Sequence, residues 1–194
     1  MTSCVDTVNY MLQHPAGIDK IAALIVNVAR LNPLAGKANG ELVSMLNEFR
    51  CILRIPGLYK LLVNFDREGS LESHLSNAIN MCYYITEGLA FLGSKQIISM
   101  SKSKEDQLSL ISCRCWLLDT LLTIYQLLKK VRNTHDKQDQ WDLAANVVSL
   151  PLCLHWSTGS GLGLSKQQIG ALGLFSTVVQ VRKLLRALHE KKQQ

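Results

Sequence analysis

Ile18-Asp19-Lys20-Ile21-Ala22-Ala23-Leu24-Ile25-Val26-Asn27-Val28-Ala29-Arg30-Leu31 decides the fold class of this chain. Its apolar residues recur at helical rather than alternating spacing: Ile18, Ile21, Ile25 and Val28 share one face, flanked by Ala22, Leu24 and Ala29. Lys20, Ala23, Asn27 and Arg30 run opposite them as a narrow polar stripe. Pro15-Ala16-Gly17 precedes the segment and Asn32-Pro33 ends it, so one amphipathic helix is bounded on both sides. The core of a soluble bundle and a helix lying in a membrane interface share this period, and spacing alone does not separate them.

The same period continues outward from this segment. After Gly36, Asn39 and Gly40, which read as a loop, Leu42, Met45, Leu46, Phe49, Ile52 and Leu53 form one side of a second helix, and Arg50 and Arg54, four apart, share a face. Pro56-Gly57 predicts a break or kink, Leu58 to Phe65 continue, and Asp66-Arg67-Glu68-Gly69 read as a turn. A third segment runs from Leu71 to about Met100 with Leu75, Ile79, Cys82, Ile85, Leu89 and Leu92 as its apolar seam. Ser101 to Asp106 is a polar connector. No alternating run marks a strand and no internal repeat is visible. The fold class is therefore all-α.

Three later segments test for membrane spans. Leu108 to Val131 is strongly apolar but carries Arg114 and Asp119; the run from Cys115 to Leu128 gives about 21 Å of helix against a hydrocarbon core of ~30 Å. Leu143 to Ser165 holds no Asp, Glu, Lys or Arg, yet Pro151 and glycines 159, 161 and 163 divide it. Ile169 to Val181 is apolar and short. These are half-length apolar segments rather than clean spans. Arg114 and Asp119 tolerate membrane depth only facing protein, a partner or water.

Composition narrows the function classes. Hydrophobic residues make up 47% of 194 residues, charged residues 19%, and the net charge is +6; mean hydropathy is +0.10. This balance suits an acidic lipid surface or nucleic acid. Aromatics at 6% are not interleaved with Arg and Lys, and no zinc-finger or RNA-recognition pattern occurs, so nucleic acid is not an expected partner. The six cysteines are spread out without a CxxC, and Cys113 and Cys115 point to different sides of a helix, so reduced thiols are expected and no metal site. Five histidines come without HExxH, a phosphate loop or GxSxG; no catalytic residue, cofactor or enzyme activity is expected. His155 reads as the end of a helix before a glycine turn. The Met1 end shows no cleavable signal pattern, and the other end lacks a peroxisomal import tripeptide.

The last third carries a specific order. Leu150-Pro151-Leu152-Cys153-Leu154-His155-Trp156-Ser157 is followed by Gly161-Leu162-Gly163-Leu164-Ser165, then by Ile169-Gly170-Ala171-Leu172-Gly173-Leu174-Phe175-Ser176-Thr177. This resembles the C-terminal signature of the eleventh-peroxin family: a proline-containing apolar helix ending in His-Trp, a glycine-rich turn, and an apolar glycine-spaced helix. Gly17 to Ile21 with Arg30, Arg50 to Arg54, Tyr83-Tyr84 with Phe91-Leu92-Gly93, and Cys113 to Leu118 echo the family upstream in the same order.

The resemblance implies a single domain over 1–194: a membrane-associated helical bundle with an amphipathic, membrane-surface part at 17–65, central helices at 71–132, and a C-terminal signature and anchor of short hydrophobic helices at 142–190. It implies a peroxisomal (or glycosomal) membrane protein, termini cytosolic, that self-associates, elongates the organelle membrane and recruits the fission machinery. A pore for small metabolites, lined by Arg114 and Asp119, is the alternative. On the remodelling reading Ile18, Ile21, Ile25 and Val28 form a wedge in an anionic phospholipid membrane, with Lys20 and Arg30 on headgroups and Arg50 and Arg54 adding attraction. Lys191 and Lys192 hold the spacing of a coat-protein dilysine, or simply complement the helix dipole.

Overall fold

The structure, a computed structural model, describes residues 8–9, 11–32, 36–65, 68–134 and 136–192, with side chains through residue 187. Among these residues all regular secondary structure is helical: α1 (Pro15–Leu31), α2 (Lys37–Val63), α3 (Leu71–Ser94), α4 (Lys102–Thr134), α5 (Lys137–Ser157) and α6 (Lys166–Lys192), preceded by helical residues at 8–9 and 11–12. Pro33 and the Asp66-Arg67 part of the expected turn lie outside the described residues.

Several boundaries differ from the sequence reading for local reasons. α2 begins at Lys37 with Gly36 as its N-cap, so Asn39 and Gly40 belong to its first turns. Asn39 Nδ2 donates to the Ala29 carbonyl at 2.8 Å and ties the start of α2 to the end of α1. Pro56, where a break or kink was expected, sits inside a continuous helix, and Pro151 lies within an apolar helix that runs through His155-Trp156, as the resemblance implies. The polar stretch after Ser101 is the first turn of α4, where Glu105 and Asp106 pair with Lys102 and suit the positive helix end. The C-terminal helices are not short: their apolar runs are parts of helices of 21 and 27 residues with polar ends.

Each helix packs antiparallel on its neighbour in sequence, and α6 packs on α1. The six therefore close into a ring. Glycines make the closing seam: a Cβ at Gly170 would meet the Asn27 carbonyl at 2.9 Å and Arg30 Cβ at 3.0 Å, and one at Gly173 would overlap the Asn27 side chain. The Gly-x-x-Gly spacing of the C-terminal signature is thus a close-approach surface for α1. Asn27 Nδ2 donates to Thr177 Oγ1 (3.2 Å) across the same seam.

Between α5 and α6 the His155 ring closes the glycine turn. Its Nδ1 accepts from the Leu162 N–H at 3.0 Å, and Gly161 (φ +71°) lies against the imidazole with no room for a side chain. This matches the expected helix-ending role of His155.

Candidate functional site: a polar lumen inside an apolar ring

A water-soluble bundle turns its apolar seams inward. Here the seams face out. In α2, Met45 (60% exposed), Ile52 (49%), Ile55, Tyr59 (70%) and Leu62 form the outer side, and no residue of this helix is buried. The seam read in α3 behaves alike: Leu75, Ile85, Leu89 and Cys82 are exposed. On α4 the outer row is Ile111, Leu118, Leu121, Tyr125 and Leu128, while the buried residues are Ser112, Cys115 and Thr120. Many buried positions are small or polar, beside the apolar Val26, Leu152, Ile169 and Val179.

The inward groups line a half-open cavity of about 810 Å³ to which all six helices contribute. Arg50 Nε donates to Asp19 Oδ1 at 2.8 Å, and Lys20 Nζ lies 3.2 Å from Asp19 Oδ2. Arg54 places Nη1 2.9 Å from Tyr83 Oη and Nε 3.1 Å from Glu87 Oε2, and Tyr83 Oη donates to Glu87 Oε1 at 2.9 Å. Serine and threonine hydroxyls complete the lining on the far side: Ser149 Oγ donates to Ser176 Oγ at 2.9 Å. Polar side chains with several partners in a confined volume are costly to leave unpaired, so hydrogen bonds specify the interior alongside its apolar contacts.

The residues expected to meet a membrane separate cleanly. Ile25 (44% exposed) and Val28 (55%) lie on the outer face of α1, with Ile18 and Ile21 half-buried beside them. Lys20, Arg30, Arg50 and Arg54 all line the cavity instead. The polar stripe was read correctly as a stripe; its direction is inward, toward charged neighbours. Arg114 and Asp119 do not line this cavity. Asp119 Oδ1 accepts from Asn80 Nδ2 (2.7 Å) and Ser76 Oγ (3.2 Å) of α3, and Arg114 Nε lies 3.4 Å from the Ser157 carbonyl of α5. Both face protein, the condition for tolerating membrane depth.

Asp119 therefore does not interrupt α4. This helix carries an 18-residue window of mean hydropathy 1.3, and by length and composition it is the one helix among the described residues able to cross a bilayer. Cys113 lines the cavity, whereas Cys115 is buried elsewhere on α4; no group of metal-ligating side chains occurs among the described residues. Lys191 and Lys192 end α6, their side chains outside the described residues. Two features escaped the sequence reading. Glu87 and Tyr83 partner Arg54, and only the spacing of Tyr83 and Glu87, four apart on α3, hinted at a shared face.

The chain is 63% identical over 190 residues to an uncharacterized protein of Schizosaccharomyces pombe, covering 98% of this chain and 99% of that one. No family model matches the chain, and no solved structure matches it.

Proposed function

With the chain belonging to the same family as this fission-yeast protein along its whole length, we propose that it is a membrane-embedded protein that remodels and elongates an organelle membrane. The organelle is the peroxisome or its glycosomal relative, on the resemblance of Leu150 to Thr177 to the eleventh peroxins. The observation that supports membrane embedding is the inverted ring: apolar side chains outside, hydrogen-bonded polar ones inside. Large apolar side chains exposed along α2, α3 and α4 carry a cost in water, where soluble monomers keep contiguous apolar patches to about a few hundred Å². Lipid removes that cost, and lumen-facing polar groups need not meet it.

Lengths fit. The outer row of α2 from Leu42 to Val63 rises about 32 Å, close to the ~30 Å hydrocarbon core. On α1 the outer stripe from Ile18 to Val28 rises only about 15 Å, the depth of one leaflet. A body with unequal apolar height around its rim displaces more lipid in one leaflet than in the other, and the bilayer curves. Six antiparallel helices also place the start of α1 and the end of α6 at the same end of the ring, as two cytosolic termini require. Self-association and recruitment of the fission machinery come with the same resemblance.

The test is reconstitution into anionic vesicles with Ile21→Glu and Ile25→Glu together. Binding should fall and tubulation should cease; unchanged binding and tubulation would remove α1 as the wedge. The half-open cavity with its charged and hydroxyl groups favours a second reading, a conduit for small metabolites. Planar-bilayer recording separates the two: stable conductance altered by Arg54→Gln favours the conduit, and tubulation without conductance favours remodelling.

A further inference from the structure

Charge inside the ring is unbalanced. Lys20, Arg30, Arg50, Arg54 and Lys60 line the lumen against two carboxylates, Asp19 and Glu87, an excess of three positive charges. Both carboxylates are already engaged, Asp19 by Lys20 and Arg50, Glu87 by Arg54 and Tyr83. Among the described residues neither Arg30 nor Lys60 has an ion-pair partner. Arg50 uses only Nε on Asp19, which leaves both terminal nitrogens of its fork available. The buried Arg54 Nε has no aligned hydrogen-bond acceptor despite its closeness to Glu87. Guanidinium groups carry five donors in a planar fork that matches oxyanions, and a lumen that gathers them without counter-charge carries a cost that a bound anion removes.

We propose that the lumen is a binding site for a small multivalent oxyanion, a polycarboxylate or phosphate compound, held by Arg30, Arg50 and Arg54 with Lys60. A volume of about 810 Å³ falls within the range of small-molecule sites, and Tyr84, Trp116 and Trp156 border the cavity as apolar surface for the non-ionic part of the ligand. The site stands on the lumen alone and does not depend on what covers the outer face. Failure of vesicle remodelling would leave it intact, and its own failure would leave remodelling intact.

The experiment is titration of the full chain, purified in neutral detergent, with pyrophosphate and with citrate, read by thermal unfolding and by tryptophan fluorescence. Sodium chloride at matched ionic strength is the reference. Saturable stabilisation by either probe is expected, with apparent affinity at least tenfold weaker in the Arg30→Gln, Lys60→Gln double variant. Lys37→Gln with Lys104→Gln removes the same charge outside the lumen and should leave the affinity unchanged. Far-UV helicity checks the fold of each variant, and Arg30→Lys with Lys60→Arg should keep most of the affinity if folding is intact. Equal weakening by the outer and lumen pairs, or equal stabilisation by chloride, would overturn the proposal. Repeating the titration in phosphatidylcholine nanodiscs separates ligand sources: retained pyrophosphate or citrate binding supports a soluble anion, and binding that needs anionic lipid overturns it in favour of a headgroup site.

Discussion

Helices α2 and α5 are built from similar residues and used in opposite ways. α2 has 27 residues and buries none; it is attached by ion pairs, Arg50 with Asp19, Arg54 with Glu87, and Glu48 with Lys95 (2.7 Å). α5 has 21 residues and buries eight, five of them polar: Gln138, Asp139, Asp142, Ser149 and Ser157. It is bonded on both sides, through Thr120–Cys153 and Lys130–Asp139 to α4, and through Ser149–Ser176 and Asp142–Lys183 to α6. The difference teaches where the molecule is fixed and where it offers surface. The α4–α5–α6 side is a polar-zipped frame onto which α1 closes, and α2 is a panel held by ion pairs whose outer face carries exposed apolar side chains.

The sharpest way to break this comparison is to put charge on the outer face of α2. Phe49→Glu with Ile52→Glu should abolish vesicle flotation while leaving helicity in detergent unchanged, because each apolar side chain contributes about 1.5–3 kcal/mol when removed from water. Retained flotation would mean that the α2 face is not the lipid-facing one. Next in size, Arg54→Met should destabilise the detergent-solubilised chain by about 1–3 kcal/mol, since it leaves the half-buried Glu87 carboxylate with Tyr83 Oη but no counter-charge. Adding Glu87→Leu should restore most of that loss. A double variant no better than the single one would show that α2 is not held through this pair.

On the frame side, Gly173→Ala places a methyl group into Asn27 and should cost about 1–3 kcal/mol in thermal or denaturant unfolding. The same change at Gly88, where a Cβ meets nothing, should be harmless, which locates the effect at the α1–α6 seam. The smallest effect concerns the turn before α5. Asp136 caps that helix by accepting from the Gln138 N–H at 3.0 Å and faces Arg186 at 3.5 Å. The backbone hydrogen bond, with Arg186 beside it, holds its carboxyl below the usual range. A depressed carboxyl stabilises the fold above its unfolded pKa and loses that contribution as pH falls through the folded value. Asp136→Ala should therefore lower the unfolding midpoint slightly near neutral pH, and the gap from wild type should close as pH falls below the ordinary carboxylate range.

Much of this was legible along the chain. The 3.6-residue period set every helix, and the two faces of α1 were divided correctly, Ile18, Ile21, Ile25 and Val28 from Lys20, Ala23, Asn27 and Arg30. The segment Gly161 to Gly173 was marked as special, although its two roles, a positive-φ turn against His155 and a seam against Asn27, needed coordinates. At Pro56 the helix does not break, because packing keeps it continuous past a missing backbone donor, whereas Pro151 sits within a helix as the C-terminal signature implied. Hydropathy misled more deeply. A window average mixes the outer and inner faces of a helix, so Arg114 and Asp119 read as interruptions of an apolar run when they face α5 and α3 on its protein side.

The sequence alone determined an all-helical chain of amphipathic segments, because the spacing of apolar residues is a property of each segment by itself. It could not assign the direction of those faces. Inside and outside are relations between helices, and the same stripe serves as core or rim according to what it meets. The tertiary structure decided that: α6 closes on α1 through Gly170 and Gly173, the ring turns Arg30, Arg50, Arg54 and Glu87 toward one another, and the apolar rows of α2, α3 and α4 are left on the outer surface.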